Sequence, residues 1–328
     1  MPAARLLRTF ACDSQGSRTR LPWLLAFSTK LLGMKVFVTG ATGFIGAALV
    51  PELLRAGHQV LGLARSDTSA QALTAAGAEA HRGSLEDLES LRRGAAAADA
   101  VIHLGFVIDL DNFAAGAELD QRVIDTLGDA LAGTGRPLIT TSGVLNLSTP
   151  GRLATEQDAP PVSAFRLSDA ATVAQVTKGV RASVVRLAPL VHDSSQCAFV
   201  DMFIAATRQQ GMAIYAGDGH NRWPAVHRLD AAQLFRLVLE QGQAGASYHG
   251  VAEEGIPVRA IMTAIGHYLH LPVESKSPEE AGKLLGGLAS FMALDAPASR
   301  ALTQQQLGWH PNQPGLLTDL EQGHYFAS

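Results

Sequence analysis

From Met34 onward, the apolar and polar positions of the chain fall into two alternating kinds of segment. Short, near-continuous apolar runs predict strands buried on both faces: Lys35-Val36-Phe37-Val38, Gln59-Val60-Leu61-Gly62-Leu63-Ala64, Ala100-Val101-Ile102-His103-Leu104, Pro137-Leu138-Ile139-Thr140-Thr141 and Ser183-Val184-Val185-Arg186-Leu187. A weaker strand falls near Glu79-Ala80-His81-Arg82. Between the runs, helices are expected over about Phe44 to Arg55, Glu118 to Ala132 and Asp169 to Lys178. Strand and helix alternating in this way predict an α/β fold, a doubly wound parallel sheet with helices on both faces. Gly57 is a suitable stop for the first helix, and Pro51 inside it predicts a slight kink, since proline removes one backbone hydrogen bond.

After Pro189 the regularity loosens, with Gly211, Gly217, Gly219, Pro224 and Pro257 punctuating shorter elements. The expected organisation is a main domain over residues 34–192 and a smaller C-terminal α/β substrate domain over 193–328. Within the latter, about 222–252 should return to the main core. Ser277-Pro278-Glu279-Glu280 reads as a capping box with proline at the first helical position, and a last helix is expected from about Ser299 to Leu307, stopping at Gly308.

The first strand runs straight into Thr39-Gly40-Ala41-Thr42-Gly43-Phe44-Ile45-Gly46, and a helix follows. Strand, glycine triplet and helix in that order make a dinucleotide cradle. The first glycine permits the tight turn, the second lets backbone approach a pyrophosphate, and the third lets the helix pack close to the strand. The helix adds unpaired N–H groups and a positive dipole end. Cofactor preference is set at the end of the second strand, where a carboxylate binds the ribose 2′-hydroxyl and an arginine accepts a 2′-phosphate. Here the chain reads Ala64-Arg65-Ser66-Asp67, a small residue followed by arginine, which favours NADP(H) over NAD(H). The alternative is a solvated Arg65 with Asp67 in the acidic role.

Composition narrows the function further. The 328 residues are 47% hydrophobic with a net charge of −4; residues 1–33 carry +4, which leaves −8 on the rest. A body this acidic, without a basic stripe, argues against nucleic acid or anionic lipid as partner and for a small-molecule substrate. The apolar stretch Leu21 to Phe27 is broken by Pro22 and is too short to span a bilayer, so no membrane anchor is expected. Residues 1–33 form an arginine-rich, acid-poor leader, either transit-like or a disordered tail ahead of a start at Met34. Localisation is therefore read as cytoplasmic, or mitochondrial if the leader is a transit peptide. Cys12 and Cys197 allow no disulfide framework and fit a reducing compartment. His267 and His270 share a helix face but lack acidic or cysteine partners at ligand spacing, so no metal is expected.

Taken together, these motifs resemble the extended and atypical short-chain dehydrogenase/reductases, often called NAD-dependent epimerase/dehydratase proteins, over about residues 34–328. The resemblance rests on the glycine motif, on Asp99-Ala100-Val101-Ile102-His103-Leu104-Gly105-Phe106, on Thr140-Thr141-Ser142-Gly143 and on Arg186-Leu187-Ala188-Pro189. Further matches are Gly217-Asp218-Gly219, Val226-His227-Arg228-Leu229-Asp230 and Leu307-Gly308-Trp309. It implies a Rossmann fold, with Gly40, Thr42, Gly43, Phe44, Ile45 and Gly46 cradling the cofactor. Arg65 and Ser66 would lie at the adenosine ribose, Ser84 and Leu85 at the adenine, and Leu104, Gly105 and Phe106 beneath the riboses. Thr141 would also contact the cofactor, and the stretch from Ala188 to Val191 would lie by the nicotinamide. Helix-to-helix dimers are common in the family, so a homodimer is expected.

In that family a tyrosine, with a lysine four residues on, supplies the proton that accompanies hydride transfer, and a serine or threonine holds the substrate oxygen. A hydride arriving at a carbonyl carbon leaves an alkoxide that must be stabilised and protonated. None of Tyr215, Tyr248, Tyr268 and Tyr325 has a lysine four residues later. Phe165-Arg166-Leu167-Ser168-Asp169 places Phe165 at the tyrosine and Asp169 at the lysine, which narrows the resemblance to the atypical branch. Ser142 matches the active-site serine; its alternative role is to cap the next segment. His192, after the sixth strand at the carboxyl edge where such sheets bind ligands, is the candidate proton donor. Its alternative is a half-exposed loop histidine. His227 is the next candidate, and His103 is expected to pack in the fourth strand. The expected function is an NADP(H)-dependent reductase of a carbonyl on a small organic substrate. The alternatives are a non-catalytic NADP(H)-binding sensor and a sugar-nucleotide epimerase or dehydratase.

Overall fold

The computed structural model describes residues 33–107, 113–147, 149, 151–161, 167–322 and 324–326. The leader, with Cys12, and Phe165 lie outside the described residues. The first half alternates strand and helix: β1 Lys35–Thr39, α1 Gly46–Arg55, β2 Gln59–Ala64, α2 Asp67–Ala75, β3 Glu79–Arg82, α3 Leu88–Ala96, β4 Ala100–His103, α4 Phe113–Leu131, β5 Pro137–Gly143, α5 Ser168–Val176 and β6 Arg181–Leu187. The second half is shorter-stepped: β7 Leu190–His192, α6 Ala198–Gln210, β8 Ala213–Ala216, β9 Arg222–His227, α7 Arg228–Gln241, β10 Ser247–Gly250, β11 Glu253–Pro257, α8 Val258–Leu269, β12 Val273–Lys276, α9 Pro278–Leu285, α10 Gly287–Met292, α11 Ala301–Leu307 and α12 Leu316–Glu321.

Seven strands form one parallel sheet in the order β10-β6-β5-β4-β1-β2-β3. The order reverses between β1 and β4, so a crevice opens there at the carboxyl ends of the strands, where doubly wound sheets bind ligands. Neighbouring residues of β1 bury opposite faces: Val36 and Val38 join a core with Leu49, Leu53 and Phe235, while Phe37 packs with Leu91, Val123 and Leu127 on the other. Fully burying one such side chain stabilises by about 1.5–3 kcal/mol. Any change of register in β1 would therefore disturb both layers at once.

The remaining strands make a three-stranded sheet, β11-β9-β7, and a two-stranded one, β12-β8. Trp223 is fully buried at the centre of a second core, edge-on to Phe199. β10 adds an edge strand to the seven-stranded sheet beside β6, so residues 247–250 lie with the first half of the chain. The capping box at Ser277 is present in full. The chain does not end its helices at Leu307, as the sequence suggested: after Pro311 and Pro314, α12 forms over six residues, too few for a helical period to be read.

Candidate active site

The three glycines of the turn each meet a different constraint. Gly40 has φ +69°, and a Cβ there would lie 2.7 Å from the Gly105 backbone nitrogen. At Gly46 a Cβ would lie 2.1 Å from the Gly40 carbonyl oxygen, which forces this position to be glycine if α1 is to lie so close to β1. Gly43 is different: it is exposed, and a Cβ would meet only the Gly40 oxygen, at 3.2 Å. It leaves a bare backbone surface beside Thr42, also exposed, at the start of α1. No side chain caps Ile45, and the first turn of α1 has no acidic residue. An uncapped positive helix end beside bare backbone suits a pyrophosphate. These residues fit a dinucleotide on structural grounds alone.

The expected adenosine contacts gather next to this turn. Gly105 packs against Leu85 and donates its N–H to Thr39 Oγ1 at 3.2 Å, while Leu104 N–H reaches the Thr39 carbonyl. Arg65 is exposed at the end of β2. The Ser84 hydroxyl holds the Glu86 carboxyl below its usual pKa, and the Arg65 charge adds to this, so Arg65, Ser84 and Glu86 occupy one corner. Ser66 caps α2 by accepting the Ser69 N–H at 3.1 Å. Asp67 is paired to Arg82 at 2.9 Å, which leaves Arg65 as the basic group facing this corner. Nearby, a cleft of about 330 Å³ is lined by Glu86, Val107, Gly116 and Arg122 among others. Phe106 stacks at a tilt on Phe113, the first residue of α4.

Behind the crevice, buried polar groups form a chain. Thr39 Oγ1 meets His103 Nδ1 at 2.6 Å, His103 Nε2 meets Asp120 at 3.1 Å, and the Ser168 hydroxyl donates to Asp120 at 2.5 Å. His103 is thus packed in its strand, as expected. Thr141 is buried at the end of β5 and donates to the His103 carbonyl at 2.9 Å. Ser142, also buried, stands opposite Arg186 in the β5–β6 register. Arg186 pairs with Asp169 at 2.6 Å and donates to the carbonyls of Glu156 and Asp158. Glu156, Asp169 and Arg186 line a cavity of about 830 Å³ at the β6–β10 edge, and Glu156 Oε2, Asp169 Oδ2 and His249 Nε2 are buried there without partners among the described residues.

His192 is not a half-exposed loop residue. It ends β7, is 1% exposed, and its Nδ1 lies 2.7 Å from Asp319 on α12. Burial lowers its pKa from the usual histidine value, with the Asp319 carboxylate opposing. His227 lies opposite it in the β7–β9 register, ring centroids 5.5 Å apart at 89°, and burial lowers its pKa too. The next residue, Arg228, pairs with Asp193 at 2.8 Å and places its guanidinium 5.0 Å from the Phe44 ring centre, tying this cluster to the glycine turn. Ala188 and Val191 pack in the same core as Ile45 and Leu104. His267 and His270 sit at the far end of α8, where His270 takes a left-handed conformation, φ 55°, to end the helix.

Residues 36–251 match the NAD dependent epimerase/dehydratase family. The chain belongs to that family. Uncharacterized protein C2A9.02 of Schizosaccharomyces pombe is 49% identical over 296 residues, covering 89% of this chain and 100% of its own. Uncharacterized protein YLL056C of Saccharomyces cerevisiae is 42% identical over 292 residues, covering 88% and 98%. Among solved structures, the Bordetella bronchiseptica enzyme WbmG in complex with NAD and UDP aligns with a TM-score of 0.69 at 18% identity, over 88% of this chain and 93% of that one, which shows the shared fold.

In this epimerase/dehydratase family member, Asp169, which the sequence sets against the family's lysine, is a carboxylate paired with Arg186 of the neighbouring strand. A guanidinium stays protonated, so it contributes charge but cannot pass a proton as a lysine can. Sequence reading missed Asp120, Glu156, Arg186 and Asp319 as parts of the site's polar framework. Asp120 alone left a signal, a carboxylate among the apolar positions that α4 buries. No hydrogen bond joins Ser142 to His192: they stand on different ladders, β5–β6 and β7–β9.

Proposed function

We propose that the protein is an NADP(H)-dependent oxidoreductase that reduces the carbonyl of a small organic substrate. The observation that carries this reading is the glycine turn at the sheet's switch point, with Arg65 as the exposed basic group in the adjoining corner while Asp67 is tied to Arg82. Gly40, Thr42, Gly43, Phe44, Ile45 and Gly46 would hold the pyrophosphate, Arg65 and Ser66 the 2′-phosphate end, and Ser84, Leu85, Leu104, Gly105 and Phe106 the adenosine side. Thr141, Ala188 and Val191 would flank the nicotinamide, which when bound supplies a hydride. The Ser142 hydroxyl donates a hydrogen bond to the substrate oxygen as it becomes an alkoxide. His192, or a water it holds, delivers the proton. No metal enters this reading. A homodimer, and a cytoplasmic setting or a mitochondrial one if residues 1–33 act as a transit peptide, belong to the same proposal. Among the described residues no helix is long and apolar enough to cross a membrane.

NADPH consumption against a panel of aldehydes and ketones tests the reaction. Arg65→Ala should weaken NADPH binding roughly tenfold, as expected for losing a hydrogen bond to a charged group, and leave NADH unchanged. An unaltered preference would sink the 2′-phosphate assignment. Calorimetry that registers no heat with either cofactor would remove the whole reading.

A second reading is favoured by the family itself and by WbmG, whose structure holds NAD and UDP. In it the substrate is a sugar nucleotide that is epimerised or dehydrated without net use of cofactor. A UDP-sugar panel that yields product while NADPH absorbance stays constant would select it. A non-catalytic sensor role, suggested by the missing tyrosine and lysine, predicts tight cofactor binding with no turnover in either panel.

A further inference from the structure

His192 and Asp319 lie 127 residues apart in sequence, yet their side chains meet at 2.7 Å, each about 1% exposed. An ionised carboxylate only accepts hydrogen bonds, so this contact keeps the imidazole proton on Nδ1 and leaves Nε2 with a bare lone pair. His227 is set the other way. Its Nδ1 accepts the Leu229 N–H at 3.2 Å, in the first turn of α7, which puts its own proton on Nε2. Neither Nε2 has a partner among the described residues. Two nearly perpendicular rings 5.5 Å apart thus carry opposite tautomers, each fixed by a group outside the ring pair. Arg228 joins the pair to the glycine turn by pairing with Asp193 and lying over Phe44.

We propose that Asp319 is the positioning residue for proton transfer, fixing His192 so that its Nε2 takes up and releases the substrate proton while His227 Nε2–H donates a hydrogen bond to the same substrate oxygen. The inference rests on the reductase reading. In reduction, the carbonyl carbon gains a hydride from the NADPH named above. The π pair of the C=O bond becomes an O–H bond, with the proton coming from Nε2 of protonated His192. His227 keeps its proton throughout, and His192, again neutral and bonded to Asp319, regains a proton from solvent. The same arrangement explains why the proton end needs α12: without it the His192 ring could take either tautomer.

The charged and titratable groups facing His192 are Asp319, His227 and Asp193, with Arg228 beyond Asp193. Burial lowers the His192 pKa, and the two carboxylates oppose that shift. Reduction should therefore slow as pH rises through a break below the ordinary histidine value. Removing the Asp319 charge should move the break lower still.

Ring-nitrogen NMR of the wild-type protein labelled at histidine should show His192 protonated at Nδ1 and His227 protonated at Nε2. The reverse assignment for His192 overturns the proposal, whether or not any variant folds. Asp319→Asn should lower kcat about 100-fold, the scale of a general acid's contribution, and shift the pH break downward while the Kd for NADPH stays within about twofold. An unshifted kcat–pH profile in the folded variant would overturn it, since a merely structural residue would leave that profile in place. The NADPH titration reports on the reductase reading separately. Wild-type protein that binds no NADPH removes the reading, and the role in proton transfer with it, while normal binding with the reverse tautomer removes only the role of Asp319.

Discussion

At the glycine turn the working atoms are backbone, contributed by eight consecutive residues, and what matters at Gly40 and Gly46 is the side chain they lack. The proposed proton-transfer site draws instead on side chains from β5, β7, β9 and α12, so Ser142, His192, His227 and Asp319 depend on four elements keeping their relative positions. The first region can be specified locally because a strand, a turn and a helix suffice to aim N–H groups at a phosphate. The second cannot, because orienting one imidazole takes a carboxylate that folds into place from far along the chain. A fold that keeps the first arrangement can therefore vary the second.

The largest effect that would sharpen this contrast comes from the turn itself. Gly46→Ala drives a Cβ to 2.1 Å from a backbone oxygen that cannot move without carrying Gly40 and Gly105 with it. We expect a loss of about 3 kcal/mol, the upper end for overpacking, and a Tm lower by roughly 6 °C or more in thermal unfolding. Gly43→Ala, whose Cβ would meet only the Gly40 oxygen at 3.2 Å, needs a shift of a few tenths of an ångström and should lower Tm by much less than Gly46→Ala, yet weaken NADPH roughly tenfold by lifting the phosphate off the backbone. If both variants lost stability equally, the division of labour among the glycines would be wrong.

On the opposite side, Ser142→Ala should lower kcat about 100-fold, the scale found when a single donor to a developing oxyanion is deleted, with the Kd for NADPH unchanged. An alanine variant with full turnover would return Ser142 to a purely structural role in β5. Pairing this variant with Gly43→Ala separates the two regions cleanly, one altering Kd and the other kcat.

How much of this was legible in the sequence follows the same division. The glycine turn, the alternation of strand and helix in the first half and the capping box at Ser277 could be read directly, because each is written in contiguous residues with a known spacing. Ser142 is expected just after the fifth strand and lies within it, because β5 runs two residues further, to Gly143, paired with β6. Asp319 could not, since nothing around Leu316 to Glu321 marks a six-residue helix, and its partner is named only by the fold. The motif Val226-His227-Arg228-Leu229-Asp230 and the motif Leu307-Gly308-Trp309 were both visible, but not that they serve each other. Trp309 Nε1 donates to the Asp230 carbonyl at 3.1 Å, and the Asp230 carboxylate takes the N–H groups of Asn312 and Gln313, which leads the chain on toward α12. Asp230 is 2% exposed, and burial raises its pKa even with those two bonds.

A further effect concerns stability against pH, and it separates the regions without any substrate. Burial lowers the pKa of His192, His227 and His249 from the ordinary value of 6.5. As pH falls through 6.5 the unfolded chain takes up protons before the folded one does, so the stability held above that pH is lost progressively on acidification. Each ring can contribute up to about 1.4 kcal/mol per pH unit until its own lowered pKa is reached. Denaturant unfolding between pH 7.5 and 5 should therefore show a falling free energy, with a shallower slope in His192→Asn and the wild-type slope in Gly43→Ala. A wild-type curve flat over that range would mean that these imidazoles take up protons in the native state as readily as in the unfolded chain. A His192 break below the ordinary histidine value would then have no place in the mechanism.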